Sequence, residues 1–338
     1  MARIDIPAMC CWITAAAVQH PDDLAGHVAE RCGVGRSAAN KALRQLVDLT
    51  WLQRDGTARA PLYQPGLLRQ VVQRYPLAGL QEDGPWARDF APCFSLPASV
   101  RRMVQHAFCE LLNNAIDHSE GAHVTVSLRQ TPSHLQLLVS DDGRGLFDKI
   151  EDTFLIDEPR LAMLELSKGK LTSLPERHTG RGLFFTSKLA DVFDLHANGF
   201  AFQQRRWDER GWLPGRPLKH LGTSIYAAIA LDTPRTLESV LNSFSLDGQG
   251  VGFERTAVPV RLMTSEQVGL ESRAQARRVV SRLGQFLRAE IDFSGVDVIG
   301  HGFADELFRV QQAAHPTLNL VPINMSAAVA AMVRSVVA

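Results

Sequence analysis

The sequence carries no formal net charge. Its 36 Lys and Arg balance 36 Asp and Glu, so the overall balance selects neither a polyanionic nor a cationic partner. Cysteine is scarce: the five, Cys10, Cys11, Cys32, Cys93 and Cys109, show no paired metal spacing, which argues against a cysteine-held metal. No signal peptide precedes them, so a reducing cytoplasm is the expected location. No apolar run approaches the ~20 residues that cross a bilayer; the Ala-rich stretch from Ala327 to Ala338 is too short and reads as a packed terminal helix. Internal repeats and low-complexity tracts are missing as well. What is present is a composition that folds. Of the 338 residues, 45% are hydrophobic, which supports cores and excludes wholesale disorder, and the length suits roughly two or three domains.

The strongest pattern runs from Ser99 to Gly145. Val100, Val104, Phe108, Leu111, Leu112 and Ala115 recur at helical spacing and predict one amphipathic helix. At about 100° per residue, Glu110, Asn114, Asp117 and His118 fall within roughly one quadrant of its other face. A carboxylate, an amide, a second carboxylate and an imidazole then point the same way, a set suited to a hard cation and a proton. Asp117 and His118 have a second reading, as plain caps of the helix end. Val124 to Leu128 alternates as a half-buried strand. Leu135 to Val139 predicts another, which runs into Asp141-Asp142-Gly143-Arg144-Gly145. That ending sets an acid at the rim of a sheet, with glycines that let a ligand approach the backbone. Gly180-Arg181-Gly182 opens a helix from Leu183 to Asp191 whose free amides suit phosphate, and Gly222-Thr223 starts a strand from Ser224 to Leu231.

In this order the four elements resemble the GHKL ATPase superfamily, which includes gyrase, MutL, histidine kinases and anti-sigma-factor kinases. The resemblance implies an α/β sandwich over residues 99–233 that binds ATP with Mg²⁺. It makes Asn114 the Mg²⁺ ligand, since an amide oxygen suits a hard ion, and Glu110 the catalytic base for an attacking water or hydroxyl. Asp141 would accept from the adenine amino group, where GTP offers a carbonyl. Asp117, His118, Gly143, Gly145, Gly180, Arg181, Gly182, Leu183 and Thr223 complete the ATP set, with Arg177 or Arg181 reaching the terminal phosphate. Leu146 to Thr179 would be the nucleotide lid, and its Lys168, Lys170, Arg177 and His178 otherwise read as a solvated charged loop. Histidine kinases usually lack the acid found here at Glu110, so its presence allows direct ATP hydrolysis or phosphorylation of a hydroxyl.

Residues 1–75 resemble a winged helix-turn-helix domain of bacterial regulators. Pro21-Asp22-Asp23 starts one helix, Cys32-Gly33 turns the chain, and Ser37 caps a second helix through Leu46. Trp51 to Gly56 and Ala60 to Tyr63 read as the wing. The resemblance places Arg36, Ser37, Asn40, Lys41 and Arg44 in the major groove and Arg54 and Arg59 on phosphates. A domain of this kind used only for protein contacts is the alternative.

Residues 76–98, rich in Pro, Gly and scattered charge, read as a linker, with Trp86 packing on the ATPase module. In residues 234–338, the glycine run from Asp247 to Gly252 lacks a following Lys-Ser/Thr and reads as a boundary rather than a phosphate loop. Strands at Val258 to Leu262, Glu290 to Phe293 and Leu318 to Val321 alternate with helices at Ser272 to Arg288, Phe303 to Ala313 and Ala327 to Val336, an α/β layer. Ile291 to Leu307 resembles a STAS-like domain. Gly300-His301-Gly302-Phe303 offers no hydroxyl where anti-sigma antagonists of that fold are phosphorylated, so docking a partner protein is expected instead. His301, Asp305 and Glu306 either form a site or complement a helix dipole.

The expectation is therefore an α+β protein of the α/β type with a winged helix, a GHKL sandwich and a small STAS-like domain: a cytoplasmic regulator that binds ATP, DNA and a protein partner, as a monomer or a homodimer. The alternative is an anti-sigma-factor-like serine/threonine kinase acting on a separate protein.

Overall fold

The computed structural model describes residues 4–173, 176, 179–249, 252–265 and 268–337. The chain opens with helices α1 (Ile6–Cys10), α2 (Ile13–Gln19), α3 (Leu24–Cys32) and α4 (Arg36–Asp48). Strands β1 (Leu52–Gly56), β2 (Pro61–Pro65) and β3 (Arg69–Pro76) follow. Then come α5 (Asp83–Pro85), α6 (Ala98–His118), β4 (His123–Gln130) and β5 (His134–Asp141). Helices α7 (Leu146–Phe154), α8 (Pro159–Lys168) and α9 (Gly182–Leu189) precede β6 (Val192–Ala197), β7 (Phe200–Arg205), β8 (Trp212–Pro214) and β9 (Thr223–Ala230). The remainder is α10 (Leu237–Asn242), β10 (Arg255–Pro259), α11 (Arg273–Val280) and β11 (Arg288–Asp292). It ends with α12 (His301–Asp305), α13 (Gln312–Ala314), β12 (Asn319–Ile323) and α14 (Ala327–Val337). The fold is α+β. Among the described residues no helix is long and apolar enough to cross a membrane. The chain divides into two compact units, Met1–Gly143 with Ser224–Pro234, and Arg144–Thr223 with Arg235–Ala338.

In the first unit β3, β4, β5 and β9 run antiparallel in that order. Strand alternation puts Val124, Val126, Leu128, Leu135, Leu137 and Val139 on the buried face. Helix α6 packs on this sheet through β5, burying Val100, Val104, Phe108, Leu111, Leu112 and Ala115 as the spacing predicts. The stretch 76–98, read as a linker, is packed structure. A π-helical turn at Trp86–Phe90 buries both aromatic rings edge-on against Phe108, at centroid distances of 5.3 and 5.1 Å. Each buried ring stabilises by about 1.5–3 kcal/mol relative to exposure, which outweighs the breaking tendency of the surrounding Pro and Gly.

The N-terminal helices and the antiparallel β1–β2 hairpin share a core that includes Met9, Ile13, Leu24, Val28, Leu43 and Leu46. Asp23 caps α3 by accepting from Gly26 N–H, and Gly33 ends it in the left-handed region at φ 63°. Helix α4 starts one residue before the expected cap: Gly35 holds that position and Ser37 lies inside the helix. The turn is short because Val34 N–H returns to Ala29 C=O.

In the second unit β6, β7 and β8 are antiparallel, and β10, β11 and β12 form a parallel sheet. Parallel pairing requires crossover connections, supplied by α11 and then by α12 and α13. Two expected boundaries move. The strand expected at 258–262 overlaps β10 only at Val258 and Pro259 and continues as a 3-10 turn, Val260–Met263, because Pro has no N–H for the ladder. The helix expected through Arg288 stops at Val280, since Arg282 adopts φ 64° and turns the chain toward β11.

Candidate functional site

The first unit carries the polar face of α6. Glu110 and Asn114 are half-buried, and Asn114 makes no side-chain hydrogen bond to the described residues. The carboxylate of Glu110 meets His106 one turn earlier, with Nδ1 and Oε1 4.0 Å apart. The other ring nitrogen, Nε2, is buried without a partner among the described residues. Burial lowers the His106 pKa, the nearby Glu110 opposing it, so the imidazole is neutral near pH 7. His106 was missed in the sequence, although its i, i+4 spacing to Glu110 is a legible signal. Asp117 and His118 close the same helix and are half-buried. Among the described residues no group of three or more His, Cys, Asp or Glu could hold a metal.

The two aspartates that end β5 are treated oppositely by the strand pleat. Asp141 is buried and accepts from Gly143 N–H at 3.0 Å. Asp142 is exposed and accepts from the N–H groups of Ala122 and His123, both at 2.8 Å; these bonds lower its pKa. Asp142 therefore fastens the turn between α6 and β4. Gly143 is required by a close approach within the chain, because a Cβ there would lie 2.0 Å from the carbonyl oxygen of Ser119.

In the second unit Gly145 sits at φ 89° and faces the side chain of Asn198, which a Cβ would meet at 2.4 Å. Asn198 Oδ1 accepts from Phe147 N–H at 3.1 Å, and its Nδ2 donates to Arg144 C=O at 2.9 Å. It caps α7 from the β6–β7 turn, a role the Asn-Gly dipeptide announces only as a turn. Gly180, at φ 64°, touches the backbone of Lys170 and Leu171. Arg181 precedes α9 with no side-chain cap; its guanidinium lies 5.7 Å from the Phe253 ring and its Nε is buried without a partner among the described residues. Gly182 and Leu183 open α9, and Thr223 opens β9; all three are half-buried. Arg177 and His178 lie outside the described residues.

The charges between the glycine turns do not form a solvated loop. Lys168 is 1% exposed and donates to Glu165 Oε1 at 2.5 Å, to Ser281 C=O at 2.9 Å and to Arg278 C=O at 3.2 Å. Desolvation, the largest influence on each, lowers the Lys168 pKa and raises that of Glu165. Lys170 donates to Gln285 C=O at 2.7 Å and sits 4.2 Å from the Phe286 ring. Arg160 donates to Thr264 C=O. Apart from Glu165 on α8 itself, each of these partners belongs to the C-terminal α/β elements.

Asp305 and Glu306 are engaged within the fold. Asp305 pairs with Arg309 at 2.9 Å and Arg273 at 3.5 Å, and Glu306 with Arg277 and Gln311, both at 2.8 Å. Their pKa values are lowered chiefly by the bonds from Arg309 and Arg277. These carboxylates tie α12 and the following turn to α11.

At the N-terminus, Arg36, Ser37, Asn40, Lys41 and Arg44 span about 140° of α4. Asn40 is half-buried and the others are exposed. Arg36 pairs with Asp23, whereas Lys41 and Arg44 have no ion-pair partner among the described residues. Arg54 on β1 and Arg59 in the hairpin turn are exposed.

Residues 84–200 match the family model of a histidine kinase-like ATPase domain. Residues 275–330 match that of a STAS-like domain of unknown function. No curated protein matches the chain. The first match takes in the Trp86–Phe90 turn, all of α6 and the glycine turns, and it gives the polar face of α6 an ATP-binding context. The second covers β11, β12 and the helices between them.

Proposed function

We propose that this chain is an ATP-dependent regulator in which Mg²⁺-ATP at the histidine kinase-like ATPase domain controls a winged-helix DNA-binding segment (residues 1–75) and the STAS-like segment. The carrying observation lies in the second unit. The segment between the glycine turns is bonded to the C-terminal α/β elements through Arg160, Lys168 and Lys170. A nucleotide that favours one arrangement of that segment then also biases the STAS-like elements, and a difference of about 1–3 kcal/mol between nucleotide states makes a useful switch.

In this reading Asn114 offers its amide oxygen to Mg²⁺, and Glu110, with the neutral His106 imidazole 4.0 Å away, acts as the base toward water or a hydroxyl. Asp141 accepts from the adenine amino group. When bound, Mg²⁺ neutralises charge on the phosphate oxygens. It keeps most of its other ligands from water and phosphate, so one amide on a half-buried face fits it and a three-carboxylate cage is not needed. Lys41 and Arg44, exposed and free of ion pairs among the described residues, support major-groove contact by α4. The remaining nucleotide assignments, Arg177 among them, stand on the sequence resemblance.

Glu110 also favours a second reading, a serine/threonine kinase that passes the γ-phosphate to a separate protein. Terminally labelled ATP with Mg²⁺, alone and with cell lysate, separates the two. Free phosphate from the parent and none from Glu110→Ala supports the regulator with turnover. Label on a lysate protein that disappears with the variant supports the kinase. Hydrolysis by Glu110→Ala at the parental rate overturns the base assignment. Equal band-shift affinity for a selected DNA without nucleotide, with ATP and with ADP overturns DNA output.

A further inference from the structure

A cavity of ≈ 420 Å³ opens in the second unit, walled by α8, the β7–β8 hairpin and the Val260–Met263 turn. This volume lies within the ~300–1,000 Å³ of small-molecule sites. Its lining combines the apolar Phe202, Trp212, Pro214 and Leu262 with the cationic Arg160 and Arg261. We propose that this cavity binds a small organic anion in which a carboxylate or phosphate is joined to an aromatic ring.

Arg261 has no side-chain hydrogen bond or ion pair among the described residues. The acid that influences it, Asp208, is itself held by Arg210 at 2.8 and 2.6 Å. Gly295, at φ 69°, makes room for the guanidinium: a Cβ there would lie 2.2 Å from Arg261 Nη1. Arg160 is anchored through Nη1 to Thr264 C=O, and its other N–H groups have no partner among the described residues. Two guanidinium forks with donors to spare match the paired oxygens of a carboxylate or phosphate. Trp212 is 4% exposed, and its Nε1 is buried without an acceptor among the described residues. With Phe202, 2% exposed, the indole also presents a surface on which a ring packs. Among the described residues no carboxylate lines the cavity, which disfavours a cation. None of these residues belongs to the proposed ATP set; Arg160 is shared with the link to the C-terminal elements described above, and Arg261 is not.

The test is calorimetric titration of the full chain with 1-naphthoate, 1-naphthyl phosphate, 1-naphthol and inorganic phosphate, each with and without excess Mg²⁺-ATP. The expected result is one site per chain for at least one of the two ring-bearing anions, unaffected by ATP, with naphthol and inorganic phosphate at least about tenfold weaker. Tighter binding of naphthyl phosphate identifies a phosphate ester, and tighter binding of naphthoate a carboxylate. Arg261→Gln, or Arg261→Met should the first variant not fold, should weaken the better ligand about tenfold or more at an unchanged melting temperature. The proposal is overturned if neither anion binds at millimolar concentration, if ATP displaces them, or if the folded variant binds as the parent does.

Discussion

On α6, Glu110 is 36% exposed and lies 4.0 Å from the neutral His106 imidazole. On α8, Glu165 and Lys168 are 8% and 2% exposed and 2.5 Å apart, with backbone carbonyls taking further lysine protons. Both helices set polar residues at helical spacing, and neither pattern announces its fate. The difference is one of saturation. A buried charge must be compensated or the fold fails, so the α8 pair is consumed by the structure. Glu110 and Asn114 keep lone pairs that no hydrogen bond among the described residues uses, and a ligand can take them.

If that contrast is right, stability and binding separate by helix. Lys168→Met strands a buried carboxylate and should lower unfolding free energy by about 3–5 kcal/mol, read from urea denaturation; a loss below about 1 kcal/mol would remove the distinction. Asn114→Ala should do the opposite, leaving the melting temperature in place while weakening Mg²⁺-dependent ATP binding by about a hundredfold, or ~2.7 kcal/mol. Asp141→Asn keeps an acceptor for Gly143 N–H but adds donors, so the preference for ATP over GTP should fall by about tenfold in competition titrations.

The smallest effect is on pH. His106 and His196 each bury one ring nitrogen without a partner among the described residues, and burial lowers both pKa values below the ordinary 6.5. Unfolded, each binds a proton as pH falls through 6.5 while the folded form does not. Stability is therefore full above that pH, declines below it, and levels off beneath the folded pKa. His106→Gln should flatten the decline in urea midpoints measured across that range; an unchanged slope would mean that His106 does not carry it.

Much of this was legible before folding. Helix α6, its apolar stripe and the strands that follow it come directly from periodicity, because local spacing decides which face is buried. The fate of Lys168 was not, since the carbonyls that hold it, at Arg278 and Ser281, are more than a hundred positions away in the chain. Nor was the early end of α11, where Arg282 takes a left-handed conformation that its identity does not advertise. The motif glycines teach a subtler lesson. Gly143 and Gly145 are read as openings for a ligand, yet their missing side chains are answered by Ser119 and Asn198 of the chain itself.

Helix α2 lies along β3: Val72 N–H bonds to Cys11 C=O at 3.1 Å and Gln70 N–H to Thr14 Oγ1 at 3.0 Å, on a strand whose other side pairs with β4. Bare strand edges invite self-association, since any passing strand can extend the ladder. The stretch 11–19 thus covers that edge, and a chain without it should show a particle size that grows with concentration.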